Sequence, residues 1–347
     1  MRDHEQATST GAAAATADGA RAASAVALYT ALQDLKRQHP AHYGGRSIAT
    51  ELFRRAWLRL LAGEDTGVVA DETAAAALAQ ILFPGCDEGF WPRTSIPQAE
   101  VARLLRASVD ESAGAVLSVG QLTALHLACG ALVGAYYGGG AGGGGAGVGG
   151  AGVRTAVLQT TGLQDLPPAL ALLCAQPRAG ATRPGYQRLV LTPAELHGEH
   201  CLLTAVYAYL TAEGYGADRG VAFLAGLAHH LHNALLPDCG FAGEILLGKH
   251  LDGVIRDGRE QALAQLPTEL AERTRAALRH HETIDAPEGR AISAGDVLDR
   301  VLDVKWRTRA AAVTDADILG DLDLVHVGPL KDFQTELLSR HGLWDLQ

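Results

Sequence analysis

The sequence predicts an all-α protein, and three features support that fold class. Apolar residues recur at spacings of three and four along most of the chain, as in VALYTALQDLKRQ and SIATELFRRAWLRLL, which is the period of an amphipathic helix. Segments with the alternating pattern of a strand are nearly absent. Short polar turns such as EGYGAD separate the helical segments, as in a helical bundle.

The helical pattern begins at Ala25 and divides into two groups of segments. The first group comprises 25–61, ADETAAAALAQILF, PQAEVARLLRASVD and SVGQLTALHLACGALVGAYY. Ser118 is a candidate N-cap for the last of these helices. The second group predicts helices over about 199–213, 218–233, 241–250, 259–281, 291–313 and 329–342.

A glycine run separates the two groups. Residues 138–152 hold 11 glycines in 15 positions, a composition that sustains neither a helix nor a packed strand. We therefore divide the chain into a flexible tail (1–24), an N-terminal helical region (25–137), a Gly-rich linker or loop (138–152) and a helical domain (153–347). A glycine-rich insertion within one continuous helical domain would produce the same sequence pattern, so that alternative stays open.

The charge balance and the cysteines limit the compartment and the partners. The 39 acidic residues exceed the 29 basic ones, and the net charge of -10 argues against nucleic-acid or anionic-membrane binding. No stretch holds the roughly 18–20 uninterrupted apolar residues that span a bilayer. The amino terminus lacks the apolar core of a signal peptide. Five scattered cysteines without a CxxC pair fit a reducing cytoplasm, so we expect a soluble cytoplasmic protein.

Three histidines and an asparagine interrupt an otherwise apolar helix in FLAGLAHHLHNALLPDCG. They are His229, His230, His232 and Asn233. On a regular helix His230 points about 100° away from His229, so other elements must complete a shared site. Further candidate ligands are His197, His200, His250, His280, His281, Asp296 and Asp299. Imidazoles with carboxylates suit a divalent Mn, Co, Fe, Ni or Zn ion.

The order of these segments resembles a known superfamily. Glu199–His200, then AHHLHN, then SAGDVLDRVLD are similar to the H…HD…D pattern of the HD-domain superfamily of metal-dependent phosphohydrolases, over about residues 195–313. The small nucleotidase branch is the most similar in pattern. The resemblance implies an HD-like helical bundle, with the N-terminal helices as an additional region.

The resemblance implies a metal site. His200 corresponds to the first metal histidine, His229 to the histidine of the HD pair and Asp296 to the closing aspartate. His230 stands where the family has the aspartate of the pair, and it can ligate through one nitrogen. Asp299 lies three residues after Asp296 and is a fallback ligand, although an ion pair with Arg300 or Arg307 is the simpler expectation.

The resemblance also implies a reaction. Asn233 falls where the nucleotidase branch has a glutamate that orients the attacking water, and Asp238 matches an acidic residue that lines the substrate pocket. Because an amide cannot take a proton, the general base would be metal-bound hydroxide, Asp238 or Glu244. We expect hydrolysis of a small phosphate monoester, with a nucleotide favoured.

A second resemblance adds histidines to the candidate site. HHETID, residues 280–285, followed by an aspartate-bearing helix, is similar to a segment of the cyclic-dinucleotide phosphodiesterase branch, although the Gly-Tyr-Pro of that segment is absent. It suggests His250, His280 and His281 as possible ligands of a second metal. Two alternatives stay open: a di-iron oxygenase on the same scaffold, and a non-catalytic HD relative that binds a ligand or partner.

Overall fold

The computed structural model describes residues 19–138, 162–180, 192–308 and 328–344. Within these ranges the chain is all-α, as the sequence predicted. The one extended pairing there is an isolated antiparallel bridge between Pro177 and Leu196. Most of the predicted glycine-rich linker lies outside the described residues.

The N-terminal helices begin and end at local sequence signals. They are α1 (19–32), a 3₁₀ turn (Gln33–Lys36), α2 (Ile48–Leu61), α3 (Thr66–Leu82), α4 (Gln98–Ala113) and α5 (Val119–Tyr136). Ser47 caps α2 and Asp65 caps α3 through side-chain oxygens that accept from backbone N–H groups. Ser118 and Gln121 form a capping box on α5, which confirms the predicted cap.

Residues 19–24 are helical, although the sequence placed them in the flexible tail. Their composition is rich in alanine, the strongest helix former. Two side-chain contacts also fix this turn: Arg21 donates to the Val116 carbonyl at 2.9 Å, and Ser24 donates to the Ala20 carbonyl at 3.0 Å. The rest of the predicted tail lies outside the described residues.

The second half supplies the remaining helices. They are α6 (Pro168–Ala175), α7 (His197–Tyr215), α8 (Arg219–Ala228), a 3₁₀ turn (Leu231–Ala234), α9 (Gly240–Leu247), α10 (Leu251–Leu263), α11 (Thr268–His281), α12 (Pro287–Thr308) and α13 (Pro329–Arg340). The prediction of one helix over 259–281 was wrong, because the chain breaks before Pro267. Proline lacks an N–H and disfavours helical geometry in the preceding residue.

Helix α7 is the central element and is packed on several sides. Helices α8 and α12 approach it closely through glycines. A Cβ on Gly226 would lie 2.7 Å from Ala205 Cα, and a Cβ on Gly295 would lie 2.5 Å from the Thr204 carbonyl oxygen. The close packing is therefore possible only without side chains at these two positions. It brings the end of α8 and the first half of α12 beside the first turns of α7.

The N-terminal helices share one hydrophobic core with the second half of the chain. Helices α2 and α3 pack against α7 and α8. The core cluster extends from Ala25 to Leu343 and includes the fully buried Phe53 and Trp57. The Tyr207 hydroxyl of α7 donates to the Tyr29 carbonyl of α1 at 2.7 Å. The N-terminal region therefore forms part of the wall around α7.

Helix α5 is, within the described ranges, the one helix long and apolar enough to cross a membrane by length and composition. The sequence expectation rested on the lack of an uninterrupted apolar run, and His126 does interrupt this one. In the fold α5 packs against α3 and α4, and His126 lies 2.7 Å from an Asp110 oxygen. A single helix of this kind is weak evidence for a membrane span, because the core helix of a soluble protein passes the same test.

Candidate metal centre

His200 lies in the first turn of α7 and is fully buried. Its Nδ1 is 2.6 Å from Asp299 Oδ2 on α12. Because a carboxylate only accepts, Nδ1–H donates and the lone pair of the neutral ring stays on Nε2. A histidine held in this way by a carboxylate presents Nε2 to a metal.

His229 and His230 follow the last residue of α8, where the chain leaves the regular helix and enters the 3₁₀ turn. His229 Nδ1 is 2.6 Å from the Gly226 carbonyl oxygen, and His230 Nδ1 is 2.6 Å from Asn233 Oδ1. Both Nδ1–H groups donate, and both Nε2 atoms keep their lone pairs. The ring centroids of these adjacent histidines are 4.3 Å apart, and that of His230 is 5.0 Å from His200.

Candidate ligand atoms from three elements meet in this space. His200 Nε2 is 3.1 Å from His229 Nε2 and 3.3 Å from Asp296 Oδ1. The third side of the triangle, from His229 Nε2 to Asp296 Oδ1, is 4.0 Å. With bonds of about 2.0–2.2 Å, neighbouring ligands of one ion lie about 3.0–3.5 Å apart. The two shorter sides fit this spacing, and the longer side fits a wider angle at the ion.

The donor atoms of the triangle would attract a cation. In the neutral tautomers, the two Nε2 atoms and Asp296 Oδ1 are all acceptors, so a cation between them would be attracted to each. The other Asp296 oxygen is compensated by Arg300 Nη2 at 3.0 Å, whereas the sequence expectation paired Asp299 with Arg300 or Arg307. His200, His229 and His230 also form a group whose ligand atoms all lie within 4.8 Å of one another. Three imidazoles and one carboxylate suit a divalent transition metal, so the donor set fits such an ion.

Burial keeps the histidines around the candidate metal centre neutral, and a histidine must be neutral to bind a metal. It is the first cause that lowers the pKa of His229 and of His230 well below the usual range, and neighbouring imidazoles add to the effect. For His229, Asp296 opposes this shift. Burial likewise lowers the pKa of His232 to about 4 and that of His197 to about 3. All four rings are therefore neutral near pH 7.

A second cluster of possible ligands is filled by a lysine. Glu195, His200 and Asp299 also place one ligand atom each within 4.8 Å of the others. The Lys36 ammonium group, however, contacts Glu195 and lies 2.8 Å from Asp299. This cation already occupies the position between the carboxylates. The second cluster is therefore an ion network that supports His200 rather than a separate metal site.

The predicted second-metal histidines are dispersed in the fold. His281 has its ring centroid 5.6 Å from that of His229. His280 faces Glu288 at 3.7 Å and is 41% exposed, and His250 lies exposed at the end of a short 3₁₀ turn. Within the described residues, neither of the two candidate metal groups includes these three histidines.

The two predicted catalytic residues are both engaged with the chain. Asn233 Oδ1 accepts from His230, and its Nδ2 donates to the Leu236 carbonyl at 3.2 Å, so its amide orients a ring histidine. The carboxylate of Asp238 accepts from the backbone N–H groups of Ala179 and Gly240, each at 2.9 Å. Those N–H groups fix its position and leave further lone pairs available.

Sequence reasoning missed the residues that support His200 from the N-terminal region. Gln33 Nε2 donates to Asp299 at 2.7 Å, and Lys36 holds the same carboxylate. Both lie in a 3₁₀ turn of unremarkable composition, QDLK, that no spacing rule connects with His200. The burial of Gln33 and Lys36 is a property of the fold, so no signal in the sequence could have identified them.

Comparison of the chain with protein-family models, with curated proteins and with solved structures found no match in any of the three.

Proposed function

We propose that the chain is an HD-type metal-dependent phosphohydrolase that acts on a small phosphate monoester, with a nucleotide as the favoured substrate. One observation carries the proposal. His200, His229 and Asp296 occur in the order expected from the superfamily pattern, and their ligand atoms lie 3.1–4.0 Å apart.

His200, His229, His230 and Asp296 would hold the divalent ion. Such an ion polarises a phosphoryl oxygen and lowers the pKa of bound water, which is the main chemistry of this class. The residues around it have positioning roles. Asp299 holds the His200 ring, and Asn233 holds the His230 ring. Asp238, fixed by two backbone N–H groups and 4.0 Å from His197 Nε2, would orient a water or accept its proton.

The proposal includes a cytoplasmic location. Cys86, Cys129, Cys174 and Cys201 are thiols without disulfide partners among the described residues, and burial raises the pKa of Cys201 far above its usual value. Several inert buried thiols fit a reducing compartment.

The test is elemental analysis of the purified chain followed by a screen for phosphate release from nucleotides with Mn, Co, Fe, Ni and Zn. We expect about one divalent ion per chain and metal-dependent release of phosphate. His126→Ala, which removes a histidine on α5, is the matched control for His229→Ala. Metal retention without hydrolysis of any nucleotide would contradict the reaction. A chain unable to take up metal would favour the non-catalytic alternative.

A di-iron oxygenase on the same scaffold is the second candidate, and one contact favours it. The ring centroid of His281 lies 5.6 Å from that of His229, although His281 is outside the group of ligand atoms formed by His200, His229 and His230. Two irons per chain with oxygen consumption, and no phosphate release, would support this alternative.

A further inference from the structure

The isolated bridge beside the metal centre arranges four polar side chains on one face. Arg178 N donates to the Glu195 carbonyl at 2.7 Å, and His197 N donates to the Gln176 carbonyl at 3.1 Å, on either side of the paired Pro177 and Leu196. Because side chains alternate along an extended chain, Pro177 and Leu196 project to one side of the bridge. The four residues that flank them, Gln176, Arg178, Glu195 and His197, project to the other side. The ion pair between Arg178 Nη1 and Glu195 Oε2, at 2.8 Å, agrees with this arrangement.

Three of these side chains hold buried polar atoms that have no hydrogen-bond partner among the described residues. These atoms are Gln176 Nε2, Arg178 Nε and both ring nitrogens of His197. The His197 side chain is fully buried. Buried polar groups are nearly always hydrogen-bonded, and leaving one unpaired costs about 1–3 kcal/mol. Four such atoms on a single face are available to hydrogen-bond a bound ligand.

The unpaired atoms are mostly donors. The Gln176 amide nitrogen and the Arg178 Nε–H only donate, and a neutral His197 contributes one further N–H. A ligand that satisfies them must offer several acceptors and few donors, as an oxyanion does. The nearby acidic groups are already compensated: Glu195 by Lys36 and Arg178, and Asp238 by backbone N–H groups.

The face lies next to the metal centre. The ring centroid of His197 is 5.2 Å from that of His230, and its Nε2 is 4.0 Å from Asp238 Oδ2. The three donor side chains are divided between the two segments of the bridge. A planar carboxylate accepts hydrogen bonds mainly in one plane, so it could not pair with all three donors. A tetrahedral phosphoryl group presents oxygens in several directions, and arginine is the residue best suited to bind it.

We propose that Gln176, Arg178 and His197 form a phosphate subsite that binds the phosphoryl group of the substrate beside the metal centre. The inference rests on the proposed function, because it names the part of the substrate that this face recognises. It gives the bridge, the one extended pairing among the described residues, a role in binding.

The test measures binding of inorganic phosphate to the full chain by isothermal titration calorimetry, as purified and after chelation of metal. The variants are Gln176→Leu and His197→Phe, which replace unpaired polar groups with apolar groups of similar size. We expect each to weaken phosphate binding at least tenfold. We also expect the Tm in phosphate-free buffer to stay equal to that of the wild type or to rise, since no protein hydrogen bond is lost.

Matched controls are Gln164→Leu, on an exposed glutamine, and His126→Phe, and both should bind phosphate as the wild type does. Arg178→Lys keeps the positive charge and removes the guanidinium group. It should weaken phosphate binding, because an ammonium group cannot bind two phosphate oxygens in the bidentate manner of arginine. A structural role for His197 predicts the opposite pattern, with a lower Tm and unchanged affinity for phosphate.

Three outcomes would overturn the subsite. The first is that the wild type does not bind phosphate. The second is that the Gln176 and His197 variants bind phosphate with the affinity of the wild type. The third is that His197→Phe loses metal rather than phosphate, which would make His197 a metal ligand. The proposed function can fail separately. If the variants weaken phosphate binding but the protein hydrolyses no nucleotide, the subsite stands and the proposed hydrolase is rejected. If the protein hydrolyses a nucleotide but the variants bind phosphate as the wild type does, the hydrolase stands and the subsite is rejected.

Discussion

Replacing Lys36 with methionine should destabilise the protein and weaken its metal binding together. The Lys36 side chain is buried, with its ammonium group in contact with Glu195, 2.8 Å from Asp299 and 3.8 Å from Asp303. Burial alone would lower the lysine pKa, but the three carboxylates raise it above the usual value. The lysine is therefore charged, and it compensates a cluster of buried acids.

The expected magnitude follows from removal of one partner of a buried ion network, which costs about 3–5 kcal/mol of unfolding free energy. Burial raises the pKa values of Glu195 and Asp299, and the charge of Lys36 is the largest influence that lowers them. The net result is a pKa below the usual value for both carboxyl groups, at about 2 for Glu195. Without Lys36, burial favours the protonated acids. A protonated Asp299 no longer fixes the His200 tautomer, and loss of such support weakens metal affinity about 10–100-fold.

The pH dependence has a definite sign. The folded pKa values of Glu195 and Asp299 lie below their unfolded values, so the stability they contribute is present above about pH 4.5. It is lost as the pH falls towards their folded values. The difference in unfolding free energy between wild type and Lys36→Met should therefore be largest near neutral pH and should shrink below about pH 4.

The assay combines denaturant unfolding with a metal titration at pH 7 against a chelating dye, with Lys331→Met on the exposed surface as the control. If Lys36→Met does not fold, Asp299→Asn tests the same support for His200 with a smaller perturbation. A folded Lys36→Met protein that binds metal as the wild type does would refute the connection from Lys36 through Asp299 to His200.

Three further results are expected. His229→Ala should abolish metal retention while the helix content measured by circular dichroism stays near normal, whereas His126→Ala should retain metal; equal metal occupancy in both would contradict the assignment. Gly295→Val should lower the unfolding free energy by about 1–3 kcal/mol and weaken metal binding, because its side chain would meet the Thr204 carbonyl. Gly214→Ala, where a Cβ has open space, should do neither. The metal-free protein should lose stability as the pH falls below about 6.5, by about 1.4 kcal/mol per pH unit for each of the four histidines with lowered pKa values, because these rings charge only on unfolding. Stability independent of pH between 6.5 and 5 would show that these rings are already charged in the fold.

The sequence predicted the fold class, which the structure confirms, and it identified the segments that meet at the candidate metal centre, because both depend on local patterns. Helical periodicity is visible within each segment, and Glu199–His200, AHHLHN and AGDVLD each lie on one short stretch. The geometry of the His229–His230 pair was less predictable. A regular helix directs the two rings apart, and only the change to a 3₁₀ turn after Ala228 places both near His200.

Residues joined by the tertiary structure were not predictable from spacing. Lys36 and Asp299 are 263 positions apart, and neither lies in a motif that indicates the other. The proposed phosphate subsite depends on a single bridge between Pro177 and Leu196, and no strand pattern in the sequence predicts that bridge. The break before Pro267 was predictable in principle, because proline disfavours the preceding helical residue, but the apolar periodicity continues across it.

The glycine contacts of α7 bear on which ions the centre would accept. With Gly226 and Gly295 in close contact with α7, the three backbones cannot move apart or together without steric clash or voids. The spacing of the donors is then nearly fixed, and ion size becomes the criterion of selection. A small transition-metal ion fits such a rigid frame, whereas calcium, with more ligands at about 2.3–2.6 Å, would require it to expand.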